Sequence, residues 1–383
     1  MTDDRVNRRT ILKTTGAAAA AGVAGCLGGG GSGGDFVPAE AESFPVEGIE
    51  DTFNLWNWYD GLAGYAKDNM PQTYDGLERV TTTGYAASSE WYSKLQSGNH
   101  EIDAIASTAT YTDQSLANDL IHPLPTDSMP NYEHALDLGK GQMEKHFSDD
   151  DGNVYSHPHA IGLWPALGYN DKEFDSQPDS WDVLWDPAYE GQITMQDQPI
   201  VSGFIAARYT GQDFTDPSDW KDIEEALLQQ KELVNTYWKE YEAGMQMFIN
   251  ESVVAGAHTM GRLFSAHFNN DAPYVNYSIP KEGALYFLDN SVIPKDAPHP
   301  RVATEYLNWF LKPENAIKLF TTMGYLPAIN NVGDAMADAG VSQEKQEFVS
   351  WSDEEQDRLI FWEPLDEDVR EKYSDIWTKV KSA

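Results

Sequence analysis

From Asp51 onward, short apolar runs of strand length alternate with segments of helical period, and this alternation restricts the chain to an α/β architecture. "TFNLWNWY" (52–59) predicts a strand, and "SSEWYSKLQSG" (88–98) a short helix with a serine cap and a glycine stop. "IDAIAS" (102–107) is a short apolar run suited to a strand buried on both faces. "HPHAIGLWPALGYN" (157–170) reads as an extended segment able to cross between lobes, and "SWDVLWDPAYEGQITMQD" (180–197) as a capped helix, a turn and a strand. The longest helical pattern is "SDWKDIEEALLQQKELVNTYWKEY" (218–241), where Ile223, Leu227, Val234 and Trp238 recur near helical spacing as a core face. "ESVVAGAHT" and "YVNYSIPKEGALYFLDNSVIP" predict strands. Two helices follow in "HPRVATEYLNWFLKPENAIKLFTTMGY", with Pro313 starting the second, and a terminal helix spans 366–382.

At 383 residues the chain exceeds what one core organises, so two lobes are expected. With 41% hydrophobic and 12% aromatic residues it can bury a substantial interior. Its charge is extreme, 62 acidic against 26 basic residues for a net −36, and the acids are scattered rather than gathered in a tail. Such a surface repels phosphate backbones, which argues against nucleic-acid binding. It fits the solvated shell of proteins from salt-loving organisms, where salt screens the self-repulsion. One cysteine provides neither a disulfide nor a cysteine-based zinc site. No apolar run reaches the ~20 residues a membrane-spanning helix needs.

The first residues read as an address. Arg8-Arg9-Thr10-Ile11-Leu12-Lys13 resembles a twin-arginine export signal, and Val23-Ala24-Gly25-Cys26 a lipoprotein processing box. The expected organisation is a signal over 1–25, then lipidated Cys26 and a flexible glycine-rich tether to residue 50. The mature protein is expected on the outer face of the cell membrane, lipid-anchored after twin-arginine export.

Catalytic signatures are missing: no G-x-G-x-x-G after a strand, no phosphate loop, no G-x-S-x-G elbow and no H-E-x-x-H. The chain is therefore read as a non-enzyme without cofactor or metal. The best metal candidates are His157 and His159 in "HPH", with His146 upstream; alternate strand residues point the same way, yet no third ligand is fixed by spacing.

"NLWNWYDGL", "EIDAIASTATYTDQSLANDLIHPL", "SWDVLWDPAYEGQI", "YSIPKEGALYFLDNSVIPKDA", "YLNWFLKPENAIKLF" and "GYLPAIN" occur in this order. Together they resemble the polyamine-binding (spermidine/putrescine) branch of ABC-transporter solute-binding proteins, over residues 51 to 377. The resemblance implies a two-lobed, type II periplasmic-binding-protein-like α/β fold with hinge-crossing strands and a cleft. Lobe 1 would take 51–163 and 289–330, lobe 2 164–288 and 331–383. It also implies a pocket. Asp289 stands where the family has an aspartate that grips an ammonium group, and Phe287 replaces an aromatic neighbour. Trp58 matches a pocket tryptophan, with Asp60 following; Asp197 matches a further aspartate and Tyr325 a tyrosine. Glu363 takes the approximate place of a polar pocket residue. The family's S-T-Y loop becomes Thr108 and Thr110, with Tyr111 adjacent, Ile200 replaces an acid, and a tryptophan is replaced near His258.

The expected function is capture of a small cationic organic solute, a polyamine such as putrescine or spermidine, by a monomeric carrier that delivers it to an ABC permease. Carboxylates and aromatic faces suit organic cations. The same fold could instead take thiamine, an iron species or an anion, using Tyr111, His258, Arg262 and the "HPH" segment. A secreted metal-dependent hydrolase built on His146, His157 and His159 is a further alternative.

Overall fold

The computed structural model describes residues 36–383; the export signal, Cys26 and the glycine run expected above lie outside the described residues. The strands are β1 (Thr52–Trp56), β2 (Arg79–Thr83), β3 (Ala104–Ser107), β4 (His157–Leu163), β5 (Ala166–Asn170) and β6 (Ile193–Gln196). They continue with β7 (Val234–Trp238), β8 (Ala255–His258), β9 (Val275–Ser278), β10 (Ala284–Val292), β11 (Leu326–Pro327) and β12 (Leu359–Phe361). They form two sheets, ordered β11-β4-β10-β3-β1-β2, with β12 beside β10, and β7-β6-β8-β5-β9.

In the first sheet β1 runs parallel to β2 and β3, with helices Asp60–Thr73 and Ser88–Ser97 in the crossovers, while β10 runs antiparallel to β3 and β4. Parallel neighbours need such crossovers, which explains the alternation in the sequence. In the second sheet β6 is parallel to β7 and β8, and β5 is antiparallel to β8 and β9. Phe53, Leu55, Tyr306 and Phe310 belong to a large apolar cluster that runs on to Phe248, Ala166 and Val275 at the second sheet, and Trp181, Phe204, Ile205 and Tyr373 belong to a second cluster. The chain passes between sheets at Trp164–Pro165, where β4 gives way to β5, and again over 279–283, between β9 and β10. The architecture is thus a mixed α/β, two-lobed fold of the periplasmic-binding-protein type. The sequence-derived boundary between 288 and 289 falls inside β10, which joins the first sheet from Ala284.

Three local readings differ from expectation. The 218–241 segment is not one helix: Trp220–Lys231 is helical, and Val234–Trp238 is β7, paired with β6. Its Val, Thr, Tyr and Trp residues favour a pleated surface, and the new sheet edge outweighs the helical spacing. The helix at Ser88 begins without a serine cap; the Glu90 carboxylate instead accepts the N–H groups of Ala86 and Ala87, both at 3.0 Å, while Gly98 ends the helix at φ 62°. Packed structure also starts before Asp51. Ala41 and Val46 are buried, the Val46 N–H donates to the Glu305 carboxylate, and Glu50 accepts the Val302 N–H at 2.9 Å. Among the described residues no helix is long and apolar enough to cross a membrane.

Two glycines test the packing in opposite directions. A Cβ on Gly256 of β8 would stand 2.3 Å from the Thr194 carbonyl oxygen of β6, whereas one on Gly64 would meet nothing within 4 Å. Gly256→Ala should destabilise the protein by about 1–3 kcal/mol or more, since backbone rather than a side chain must yield. Gly64→Ala, within a helix, should stabilise it by about 0.5–1 kcal/mol. Thermal unfolding of both variants checks the pair.

Candidate functional site

The loops that leave the parallel strands at their carboxyl ends converge on one cavity. In the first lobe these are Trp58 after β1, Tyr85 after β2, and Thr108 and Thr110 after β3; in the second, Gln198 after β6, Tyr241 after β7, and Thr259 and Arg262 after β8. Open α/β sheets place ligands at such strand ends. Phe287 and Asp289 of β10 form the floor, Tyr325 and Trp362 complete the wall, and the volume is about 550 Å³.

Local sequence explains how each group is aimed. At the end of β1 the Asn57 N–H donates to the Thr83 carbonyl at 3.0 Å, and its side chain accepts the Tyr59 N–H at 2.8 Å. This Asx turn halts the strand at Trp56, three residues short of the expected end, and throws Trp58 and Tyr59 toward the cavity, their ring centroids 3.7 Å apart. On β10, Phe287 and Asp289 share a face because strand side chains alternate. Phe287 sits opposite Gly162 of β4, and a Cβ there would come within 2.6 Å of its ring. Directly after Asp289 the β4–β10 register shifts, with Asn290 opposite Pro158. Pro158 has no N–H for the ladder, and bulges of this kind re-aim side chains beside functional sites.

Asp289 is 6% exposed, and its carboxylate accepts a hydrogen bond from the Tyr59 hydroxyl. Burial pushes its pKa up to about 7, against the smaller opposing effect of the Tyr59 bond. The same burial and the nearby carboxylate push the Tyr59 hydroxyl well above its ordinary value, so it remains a donor. Around this carboxyl lie aromatic faces: Tyr325 stands edge-on to Trp58 at 5.9 Å and to Phe287 at 6.2 Å. Across the cavity Trp164 packs on Trp362 at 4.7 Å and donates its indole N–H to Gln196 at 2.8 Å. A hydrogen-bonded carboxyl inside an aromatic box can hold an organic cation by charge, hydrogen bonds and cation–π attraction.

Six of the eleven residues that the resemblance assigns to the pocket line this cavity, Trp58, Thr108, Thr110, Phe287, Asp289 and Tyr325, and so does Arg262, named for the alternative ligands. The other five are placed elsewhere. Asp60 is exposed in the first turn of the helix after Tyr59. Tyr111 packs against Trp91 and Tyr92 at 5.7 and 5.5 Å, in the small core beneath β3. Asp197 is held by Trp377 and Lys381, both at 3.0 Å. Burial works to raise its pKa, yet these bonds outweigh it and keep the carboxyl below its ordinary value. His258 is 0% exposed, stacks on Trp238 at 4.4 Å, accepts the Thr259 N–H at Nδ1 and donates from Nε2 to the Tyr241 carbonyl at 3.0 Å. Burial lowers its pKa to about 3, so it is a neutral prop for Tyr241. Glu363 lies 3.8 Å from His146.

The histidines proposed for a metal serve packing. His159 stacks between Phe310 at 4.1 Å and Tyr59 at 5.5 Å, with Nδ1 hydrogen-bonded to Ser291, and burial depresses its pKa strongly. His157 donates to the Pro158 carbonyl at 2.8 Å. Among the described residues no group of three or more His, Cys, Asp or Glu is placed to hold a metal ion. Sequence reasoning missed Tyr59, Tyr85, Trp164, Tyr241 and Trp362. For Tyr59 and Trp362 the signal was adjacency to Trp58 and Glu363, already singled out.

The chain was compared with known proteins. It is 27% identical over 293 residues to the putrescine/cadaverine-binding protein of Pseudomonas aeruginosa, covering 70% of this chain and 77% of that protein. It is 26% identical over 282 residues to the spermidine/putrescine-binding periplasmic protein of Escherichia coli, covering 72% and 77%. The crystal structure of the spermidine/putrescine ABC transporter substrate-binding protein PotD from Streptococcus pneumoniae superposes with a TM-score of 0.75 at 21% identity, over 87% of this chain and 99% of that one. A family model for bacterial extracellular solute-binding proteins matches residues 63–347, which takes in every cavity-lining segment except Trp58 and Trp362. Sequence and fold agree, and the chain belongs to the bacterial extracellular solute-binding proteins.

Proposed function

We propose that the protein captures a cationic organic solute of the polyamine class outside the cell and delivers it to an ABC permease. The observation that carries this reading is Asp289, a carboxyl desolvated inside an aromatic cavity, with a neutral phenol as its hydrogen-bond donor. A buried acid in this state lacks the counter-charge that normally accompanies burial, and an ammonium group supplies it. The names of the relatives from Pseudomonas aeruginosa and Escherichia coli support the same ligand class. The two lobes close on the solute by bending at the crossings near 164–165 and 279–283. The chain works as a carrier and not as a catalyst. Export follows the twin-arginine signal, and lipid on Cys26 holds the protein at the outer membrane face. Cys26→Ala should therefore shift the protein from the membrane to the soluble fraction on cell fractionation.

Asp289→Asn removes the charge while keeping the shape. Titration calorimetry with putrescine should show a loss of about 2–5 kcal/mol, thirtyfold or more in affinity; unchanged affinity excludes this anchor.

The pKa of Asp289 sets the pH dependence. Cation binding requires the carboxylate, so affinity should rise with pH, level off above the ligand-free value of about 7, and fall by up to about tenfold per unit below it. Binding should release a proton below that value. The stability of the ligand-free protein should move oppositely. An acid whose pKa is raised on folding contributes stability that is complete below its ordinary value of 3.8 and is lost as pH climbs through about 7. Calorimetry in buffers of differing ionisation enthalpy, and thermal unfolding across the same range, check both slopes.

A further inference from the structure

The cavity around Asp289 contains one cationic side chain. Arg262, in the first turn of the helix Met260–Asn269, lines it, and with Trp58 and Tyr325 also lines an adjoining hollow of about 640 Å³. Among the described residues the charged groups of that hollow are Arg262 and Lys345, beside hydroxyl and amide side chains such as Ser265 and Asn269, and no described Asp or Glu lines it. On a chain with 62 acids and 26 bases this is a local inversion of charge.

Asp289 and Arg262 lie close enough to influence the same groups. Burial raises the Tyr325 hydroxyl to about 12, with Asp289 adding to that effect and Arg262 opposing it. Tyr241, raised chiefly by burial, also feels both charges. Yet the two do not pair with each other: the Asp289 carboxylate takes the Tyr59 hydroxyl, and Arg262 reaches Glu242 at 3.4 Å. Arg262 and Glu242 are both largely solvent-exposed, 42% and 59%, so their attraction is weak and readily exchanged for a ligand. A solute with ammonium groups at both ends would bring its second charge against the guanidinium. A carboxylate at that end would gain a charge-assisted, two-pronged hydrogen bond.

We infer that the solute is bipolar, with an ammonium or amidinium group at Asp289 and an anionic group, such as a carboxylate, at Arg262, joined by a linker lying along Trp58 and Tyr325. This rests on the reading of Asp289 as the cation anchor; it keeps the ammonium end of the proposed solute but puts a carboxylate in place of the second ammonium, and so departs from the polyamine class to amino-acid-like zwitterions.

Calorimetric titration of the purified full-length protein with 4-aminobutyrate, 5-aminopentanoate and 6-aminohexanoate, each against the diamine of equal length and at matched ionic strength, tests it. The wild type should bind at least one amino acid about tenfold or more tighter than its diamine. Arg262→Gln should erase that preference and Arg262→Glu reverse it, with thermal midpoints near the wild-type value showing that both variants fold. A wild-type preference for the diamines, a ratio that neither substitution moves, or no binding of any probe overturns the inference. Asp289→Asn separates the two readings. If it abolishes amine binding while the diamine is preferred, the anchor stands and the bipolar assignment falls; if amine binding survives it, both fall.

Discussion

The antiparallel pairing of β4 with β10 is the contact on which the rest of the molecule depends. Both strands lie in the middle of the first sheet, and the side chains of β4 are buried throughout. Each leads directly into the second sheet, β4 through Trp164–Pro165 into β5, and β10 from β9 through 279–283. The ladder therefore fixes the hinge as well as the core. It also fixes the floor of the cavity, since Gly162 on one strand makes room for the Phe287 ring on the other. Beside the bulge at Pro158, His159 of the same strand puts its ring between those of Phe310 and Tyr59. A defect in this pair would be felt in fold, hinge and site together.

Placing Asp289 at the floor of that cavity has a thermodynamic consequence. Nothing cationic in the described residues bonds to it, and its hydrogen bond from Tyr59 comes from a neutral donor. An unpaired buried carboxylate is unfavourable, and the ligand-free protein resolves this by holding the proton up to about pH 7. On the proposed reading the unfavourable burial is what drives selectivity. A neutral molecule of the same shape offers no counter-charge, and a hydrated inorganic cation must give up its water to enter an aromatic box. Stability is sacrificed at the place where binding restores it, which couples solute capture to lobe closure without a separate device.

How far the site was legible in the sequence follows from which contacts are local. Trp58, Thr108 and Thr110 were placed by the family resemblance, and they lie just beyond the ends of β1 and β3, where strand-end geometry sends them. Asp289 was placed by the family resemblance, and alternation along β10 sets Phe287 on the same face. Asp197 also stands just beyond a strand, β6, but Lys381 and Trp377 of the terminal helix Glu367–Ser382 bind it away from the cavity. That partnership spans some 180 positions and leaves no local trace. His258 has a similar history: at the end of β8, its ring is claimed by Trp238 and the Tyr241 carbonyl. The helix expected over 218–241 failed for the same reason, because pairing with β6 decides Val234–Trp238. Residues on strands and in their turns were readable, and those decided by a distant partner were not.

The overall charge and the cavity charge answer different questions. A net −36 draws cations toward the surface and speeds encounter, but at physiological salt such a field fades within about 8 Å, and in stronger brine sooner. It treats every cation alike, including the salt. Discrimination must come from groups that salt screens least: Asp289, desolvated beneath its aromatic cover, and, on the proposed reading, the partly exposed guanidinium of Arg262 that lines the same cavity. A protein bathed in competing inorganic cations gains little from adding surface acids to a binding site. It gains from one buried carboxylate that only a shaped organic cation can reach, and from an opposite charge nearby that reads the far end of the same molecule.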